Sequence, residues 1–401
     1  VVMISMMCVW AWKRGKKIFA AAWVYYVVTL LPILGIIQVG GQAAADRYTY
    51  IPSIGPFLLL GVGTAIVGER LIEKNRTVVF LLPILIFALM GISTIKQIKV
   101  WKDGIALWST VIEKYPDFPD AYHSRADAFG SAGRYSEALG DLEHTLWLDP
   151  RFHEAYYNQG LYYREIGEYE SAIRSFSKAI EIHPGLAKAY ANRADVYVRV
   201  KNYQKGLEDL NRAIAMEPQV AGPYINVCEI YNMMAGYDQA VRFCSKAIEI
   251  DRDNAIAHRN RGYSYSNLGR YADAIADYSR TITLDPADHK AYNFRGIARK
   301  NKGESSMAVQ DFTRAIELAP KFADPYINRG MEYGVLGRLE DSIEDFSKAV
   351  ELNPEDASAY YNRGASYYRL GRKNEAMRDF KKAASLGDKK IQEILHARGI
   401  R

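Results

Sequence analysis

Cysteine is scarce in this chain, three residues in 401, which is too few for a disulfide framework. Histidine is scarce as well, and the seven present (123, 144, 153, 183, 258, 289 and 396) form neither an HExxH run nor a paired metal-ligand spacing. No serine or cysteine nucleophile signature occurs. Gly61-Val62-Gly63 opens like a nucleotide loop, but GVGTAIVGER lacks the later glycine spacing and the lysine. It lies inside an apolar run, where small residues mediate helix packing. The sequence therefore offers no catalytic residue, metal site or cofactor. Acidic side chains are missing from one region in particular. Residues 1–102 carry 3 Asp/Glu against 11 Lys/Arg, whereas residues 103–401 carry 43 against 41. The net charge of +6 thus belongs to the first quarter, where it sits in short clusters between long apolar runs. Membrane proteins distribute charge in this way, and nucleic-acid-binding surfaces do not.

Four apolar runs are read in that quarter, at 1–12, 18–40, 54–72 and 77–95. The first is too short to span a bilayer, since a dozen helical residues reach about 18 Å against a core of about 30 Å. It is read as the tail of a transmembrane helix that begins before Val1. The third needs extension through Leu71 and Ile72 to span, with a re-entrant helix as the alternative. Lys/Arg counts set the orientation. Loops 13–17 and 69–76 hold four and three, while loop 41–55 and segment 96–102 hold one and three. The richer pair is assigned to the cytoplasm, which sends everything after Ile95 to the exoplasmic side.

The remaining three quarters of the chain are periodic. Prolines at 116, 150, 184, 218, 286, 320 and 354 are spaced by 34 residues or twice that. A strict 34-residue period is the signature of tetratricopeptide repeats, each a pair of antiparallel helices. With the proline as repeat position 32, position 8 reads Ala126, Gly160, Ala194, Cys228, Gly262, Gly296, Gly330, Gly364. Position 20 reads Ala138, Ala172, Gly206, Ala240, Ala274, Ala308, Ser342, Ala376. All are small, as two closely approaching helices require. Positions 4 and 11 are mostly aromatic, and position 24 is large in all repeats except the fourth, where it is Cys244. Their spacing puts them on one helical face. Glycine at position 15 or 16 marks the turn between helices in most repeats, and the proline ends the second helix. The fold expected is all-α. Eight repeats over 117–388 form a right-handed α-solenoid, preceded by a partial transmembrane bundle over 1–95. A juxtamembrane segment with a half-repeat cap, 96–116, precedes the array, and a capping helix, 389–401, closes it.

In tetratricopeptide arrays first-helix positions 2, 5, 6, 9, 12 and 13 line the concave face. Position 6 here is Asn158, Asn192, Asn226, Asn260, Asn328 and Asn362, broken by Ser124 and Phe294. An amide offers both donor and acceptor, so an asparagine ladder suits a peptide backbone read without regard to its side chains. The array resembles the repeat domain of O-GlcNAc transferase in this respect. The bland alternative is that these asparagines only solvate an exposed helix face. Arginine at position 7 is assigned a structural role, bonding carbonyls or acids of the adjacent helix. Cys228 and Cys244 face each other across one repeat and are read as small packing residues, with oxidation the alternative outside the cytoplasm.

The stretch DRYTYIPSIG, 46–55, lies between two membrane runs, and a further hairpin, a Trp/Lys-rich step and the repeats come after it. This layout resembles the carboxy-terminal half of the transmembrane and tetratricopeptide repeat-containing proteins and their bacterial relatives, which are lipid-sugar-dependent O-mannosyltransferases. The resemblance implies exoplasmic repeats. It also implies that the acidic catalytic residues lie in an early loop absent here. Asp46, Arg47, Tyr48 and Tyr50 would then line a lipid-sugar or acceptor site; read without the resemblance, they form an interfacial elbow. Two functions are therefore expected. One is a membrane-anchored scaffold binding a polypeptide in its groove, with protein and bilayer as partners. The other is the acceptor-binding half of a membrane glycosyltransferase whose partner is a lipid-linked sugar.

Overall fold

The computed structural model describes residues 103–387 and 392–393. The four apolar runs, the loop bearing Asp46, Arg47, Tyr48 and Tyr50, and nearly all of 389–401 lie outside the described residues. Among the described residues no helix is long and apolar enough to cross a membrane. The chain divides into two compact units, Val1–Thr110 and Val111–Arg401, and the second holds the repeats.

Seventeen helices occur among the described residues, with no strand. The first, α1 (Gly104–Lys114), occupies the register of a second helix but buries none of its residues. The other sixteen pair off in order, from α2 (Pro119–Ser131) with α3 (Tyr135–Leu148) to α16 (Ala357–Arg369) with α17 (Lys373–Ser385). Six helix starts have a local cause in their first residues. Pro119 and Pro325 stand in the first turn of their helices, where the missing N–H costs nothing. Asn202, Asn254, Asp288 and Asp356 cap helix starts by accepting backbone N–H bonds. The tight turn inside each repeat puts position 15 at positive φ, and six of the eight residues there are glycine. Lys201 and Ala235 take the same conformation at φ 58° and 57°, where a Cβ is unfavourable.

Positions 8 and 24 meet inside every repeat, and their sizes are matched. Glycine faces an aromatic ring in five repeats, and a Cβ added to Gly160, Gly296 or Gly364 would fall 2.7, 2.6 or 2.9 Å from Phe176, Phe312 or Phe380. Where position 8 is Ala126 or Ala194, position 24 is the fully buried Leu142 or Leu210. The fourth repeat, α8 (Ala221–Met233) and α9 (Tyr237–Ile250), departs from both patterns: Cys228 and Cys244 are joined by a disulfide, Cα–Cα 5.4 Å, and both are fully buried. Of the two readings of this pair, the structure has the oxidised one. One residue on each helix at facing positions brings the two sulfurs into bonding range.

First helices of successive repeats touch one another along the whole array, whereas second helices of successive repeats do not. A stack that is shorter on one side curves toward that side. The first helices therefore line the concave face and the second helices the convex one.

Candidate functional site

All six ladder asparagines are half-buried on first helices, which is where a groove-lining residue belongs. Their amides do different things. Asn158 donates to Asp127 at 2.6 Å and contacts the His123 ring at 3.0 Å. Asn192 donates to the Tyr157 hydroxyl and the Lys188 carbonyl, and accepts from Arg164. Asn328 donates to Asn293, and Asn362 to the carbonyl of Ser358. The side chains of Asn226 and Asn260 carry no hydrogen bond among the described residues, so their donors and acceptors face the groove open. A neighbour not singled out by the repeat pattern works beside them. Asn232, at position 12, donates to the Asn260 carbonyl and accepts from Ser264, tying the fourth and fifth first helices together.

Position-7 arginines point away from this face. Arg193 makes two parallel hydrogen bonds to Asp209, at 2.7 and 2.8 Å. Arg125, Arg261, Arg295, Arg329 and Arg363 repeat the arrangement on Asp141, Asp277, Asp311, Asp345 and Asp379. Tyrosines at positions 4 and 11 flank the guanidinium, as Tyr326 and Tyr333 do Arg329 at 5.9 and 5.6 Å. Hydrogen bonds to Asp277 and Asp379 hold the Arg261 and Arg363 guanidiniums above their ordinary value. Burial pushes the Asp345 carboxyl up, against the pull of Arg329. The structural reading of position 7 thus has its partner, an aspartate at position 23 that sequence reasoning did not single out. The signal was available, because Asp recurs sixteen residues after each Arg.

These arginines also reach back one repeat. Arg193, Arg261, Arg295, Arg329 and Arg363 each donate to a hydroxyl at position 25 of the preceding repeat (Ser177, Ser245, Ser279, Thr313, Ser347). Where position 7 is not arginine, the partner has gone too. Gln159 accepts from Ser175 at 2.8 Å in the second repeat, and Val227 stands with Phe243 in the fourth. No position-23 aspartate is left without its arginine, as the cost of an uncompensated buried charge would require, whereas Glu332 is buried with its Oε2 unpartnered among the described residues. Among the described residues no cluster of three or more His, Cys, Asp or Glu is placed to hold a metal ion.

Family models for the tetratricopeptide repeat match residues 153–186, 255–288 and 357–386, and a second such model matches 187–220 and 289–322. A TPR repeat model covers 330–371. This is a tetratricopeptide repeat protein. Within that class it resembles the carboxy-terminal halves of protein O-mannosyl-transferases. It is 27% identical over 126 residues to Tmtc2 of Drosophila melanogaster, an alignment covering 31% of this chain and 13% of that protein. To mouse (Mus musculus) TMTC1 it is 25% identical over 150 residues, 37% of this chain and 16% of that one. The match thus spans less than a fifth of these relatives. A tetratricopeptide repeat protein from Parabacteroides merdae superposes with a TM-score of 0.50 at 19% identity, over 62% of this chain and 98% of that one. This last likeness is one of fold.

Proposed function

We propose that this tetratricopeptide repeat protein is a membrane-anchored scaffold that holds an extended polypeptide along its concave face. The open amides of Asn226 and Asn260, half-buried at the middle of the groove, carry the reading. A donor and acceptor pair at each of two successive repeats fits a peptide backbone, whose groups recur in both senses along a strand. Asn158, Asn192 and Asn328 bond to the preceding first helix and hold these helices in register, while Asn362 bonds within its own helix. The second reading, an acceptor-binding arm of a lipid-sugar-dependent O-mannosyltransferase, is favoured by the two O-mannosyl-transferase relatives. In that reading the groove presents its polypeptide near the membrane, and proximity is its contribution. Asp46, Arg47, Tyr48 and Tyr50 would line the donor side. The buried Cys228–Cys244 disulfide supports exoplasmic repeats, since oxidising compartments are where such bonds persist.

The test is capture of bound polypeptide by the full chain with photo-crosslinking, comparing the native protein with N226A/N260A. Loss of crosslinking with unchanged helicity supports the reading. Equal capture by the double variant would sink the asparagine ladder. Glycosylation-acceptor tags at loop 41–55 and at the carboxy terminus test the topology separately: the carboxy-terminal tag is modified if the repeats are exoplasmic.

A further inference from the structure

The groove changes chemistry half-way along, and this concerns what it binds. Position 9, on its floor, reads Asp127, Leu161, Asp195, Glu229 in the first four repeats and Tyr263, Ile297, Met331, Ala365 in the last four. The other groove positions follow suit. First-half acids are Asp120, Asp127, Glu154, Glu165, Asp195 and Glu229, against Arg164, Lys188 and Arg199. The second half has Arg259, Lys290, Lys300 and Arg369 against Asp324 alone. Pairing within the fold removes some of this charge: Arg199 sits 3.0 Å from Asp195, Arg164 2.7 Å from Glu165 and Arg259 2.6 Å from Asp288. What remains keeps the division. Asp120, Asp127 and Glu229 are exposed in one half against Lys188, and in the other Lys290 is exposed and Lys300 half-buried against Asp324.

Exposed apolar residues at the groove gather in the last four repeats, with Met233 at the end of the fourth repeat's first helix the one that precedes them. Those at groove positions are Met233, Ile256, Tyr263, Met331, Val335 and Tyr368, at 51, 50, 38, 38, 71 and 57%. None occurs before the end of the fourth repeat's first helix. Side chains of this kind on a groove floor mark contact surface when they gather on one side.

We infer that the polypeptide held in the groove is bipartite: a basic stretch lies over the first four repeats, and a stretch of large apolar residues with acidic neighbours over the last four. This rests on the polypeptide-binding reading above and adds the sequence character of the ligand. The amides of Asn226 and Asn260 would hold the backbone at the junction of the two stretches, leaving side chains to be read on either side. Complementary charge at a groove rim fixes direction and register more than it adds affinity, so the chain would be held in one direction.

Three synthetic peptides of about twenty residues and one composition test this with the full chain in detergent, by fluorescence anisotropy. One carries a lysine-rich block followed by a Leu/Phe/Glu block, the second has the blocks in reverse order, and the third interleaves them. One block order is expected to bind about tenfold tighter than the interleaved peptide. D120K/E229K should weaken that binding about fivefold, and K290E/K300E by a similar factor, as exposed charge pairs allow. Both effects should shrink at high salt, and circular dichroism verifies that the variants are folded. Equal affinity for all three peptides, or variants without effect, overturns the bipartite assignment while leaving polypeptide binding intact. Binding of none of the three at up to millimolar peptide removes the polypeptide reading itself, and the bipartite assignment with it.

Discussion

In the seventh repeat the two helices close through Gly330 beneath Phe346 and Arg329 clamped onto Asp345. In the fourth, the same four positions hold Cys228, Cys244, Val227 and Phe243. The seventh relies on a ring filling the space over a glycine and on a charge pair with side chains 17 and 6% exposed. The fourth carries a covalent link and apolar bulk. Both give a helix pair of closely similar length and turn. The backbone pairing is therefore indifferent to which chemistry fills it, provided each position changes together with its partner. A swap on one side alone should be costly, and a swap on both sides cheap.

The largest effect should come from splitting the charge pair. Asp345→Ala leaves Arg329 buried and uncompensated, and about 3–5 kcal/mol of stability should be lost, read by urea denaturation. The paired replacement R329M/D345L, which copies the logic of the fourth repeat, should stay within about 1 kcal/mol of the native chain. Linkage points the same way. Burial lifts the Asp345 carboxyl above its unfolded value, so its titration favours folding below the ordinary aspartate range. That benefit disappears as pH rises through the raised folded value. At neutral pH its ionisation is thus a liability that R329M/D345L removes. A double variant as unstable as D345A would show that the pair contributes more than mutual compensation.

Next comes the covalent link. C228A/C244A removes a cross-link between residues sixteen apart, for which loop entropy gives about 3 kcal/mol. A similar drop should appear on reduction of the native chain, and none on reduction of the double variant. Unchanged melting in both experiments would leave the two cysteines as packing residues. Smaller again is Gly296→Ala, whose new Cβ falls 2.6 Å from Phe312 and should cost about 1–3 kcal/mol. Adding Phe312→Leu copies the Ala126 and Leu142 pairing and should restore most of it, a coupling that a double-mutant cycle measures directly. The smallest is a gain. Ala235→Gly relieves a positive-φ residue and should raise stability by about 1 kcal/mol. The same change at Ala132, which has an ordinary φ of −87°, should lower it.

Much of this architecture is legible in the amino-acid sequence. The 34-residue spacing, the small residues at positions 8 and 20 and the glycine turn determine where each helix begins and which faces meet. Arginine at position 7 reads correctly as structural because a long cation on a packing face needs an acid nearby. The coupling between columns is harder to read. Gly262 and Tyr278 each look ordinary alone, and only their contact shows that one makes room for the other. The asparagines illustrate a different limit. Six identical residues at one repeat position look equivalent, yet Asn192 is held by three neighbours and Asn226 by none among the described residues, because the flanking positions 5 and 12 vary from repeat to repeat. The cysteines show a third. Spacing says that they face each other, but chemistry leaves both states open to such a pair.

The backward reach of the arginines has a bearing on how the array comes apart. Hydrogen bonds from position 7 link repeat three to two, and join repeats four through eight in an unbroken series. Gln159 and Val227 leave the junctions between one and two, and between three and four, without that tie. In a linear array stability is the sum of units and nearest-neighbour couplings, so weak junctions are where cooperativity breaks. The molecule should behave in amide exchange as three blocks of one, two and five repeats, with the long block the last to open. The groove's acidic half would then sit chiefly on the segments that breathe and its apolar half on the one that does not. A bound chain could let go of the first while still gripped by the second.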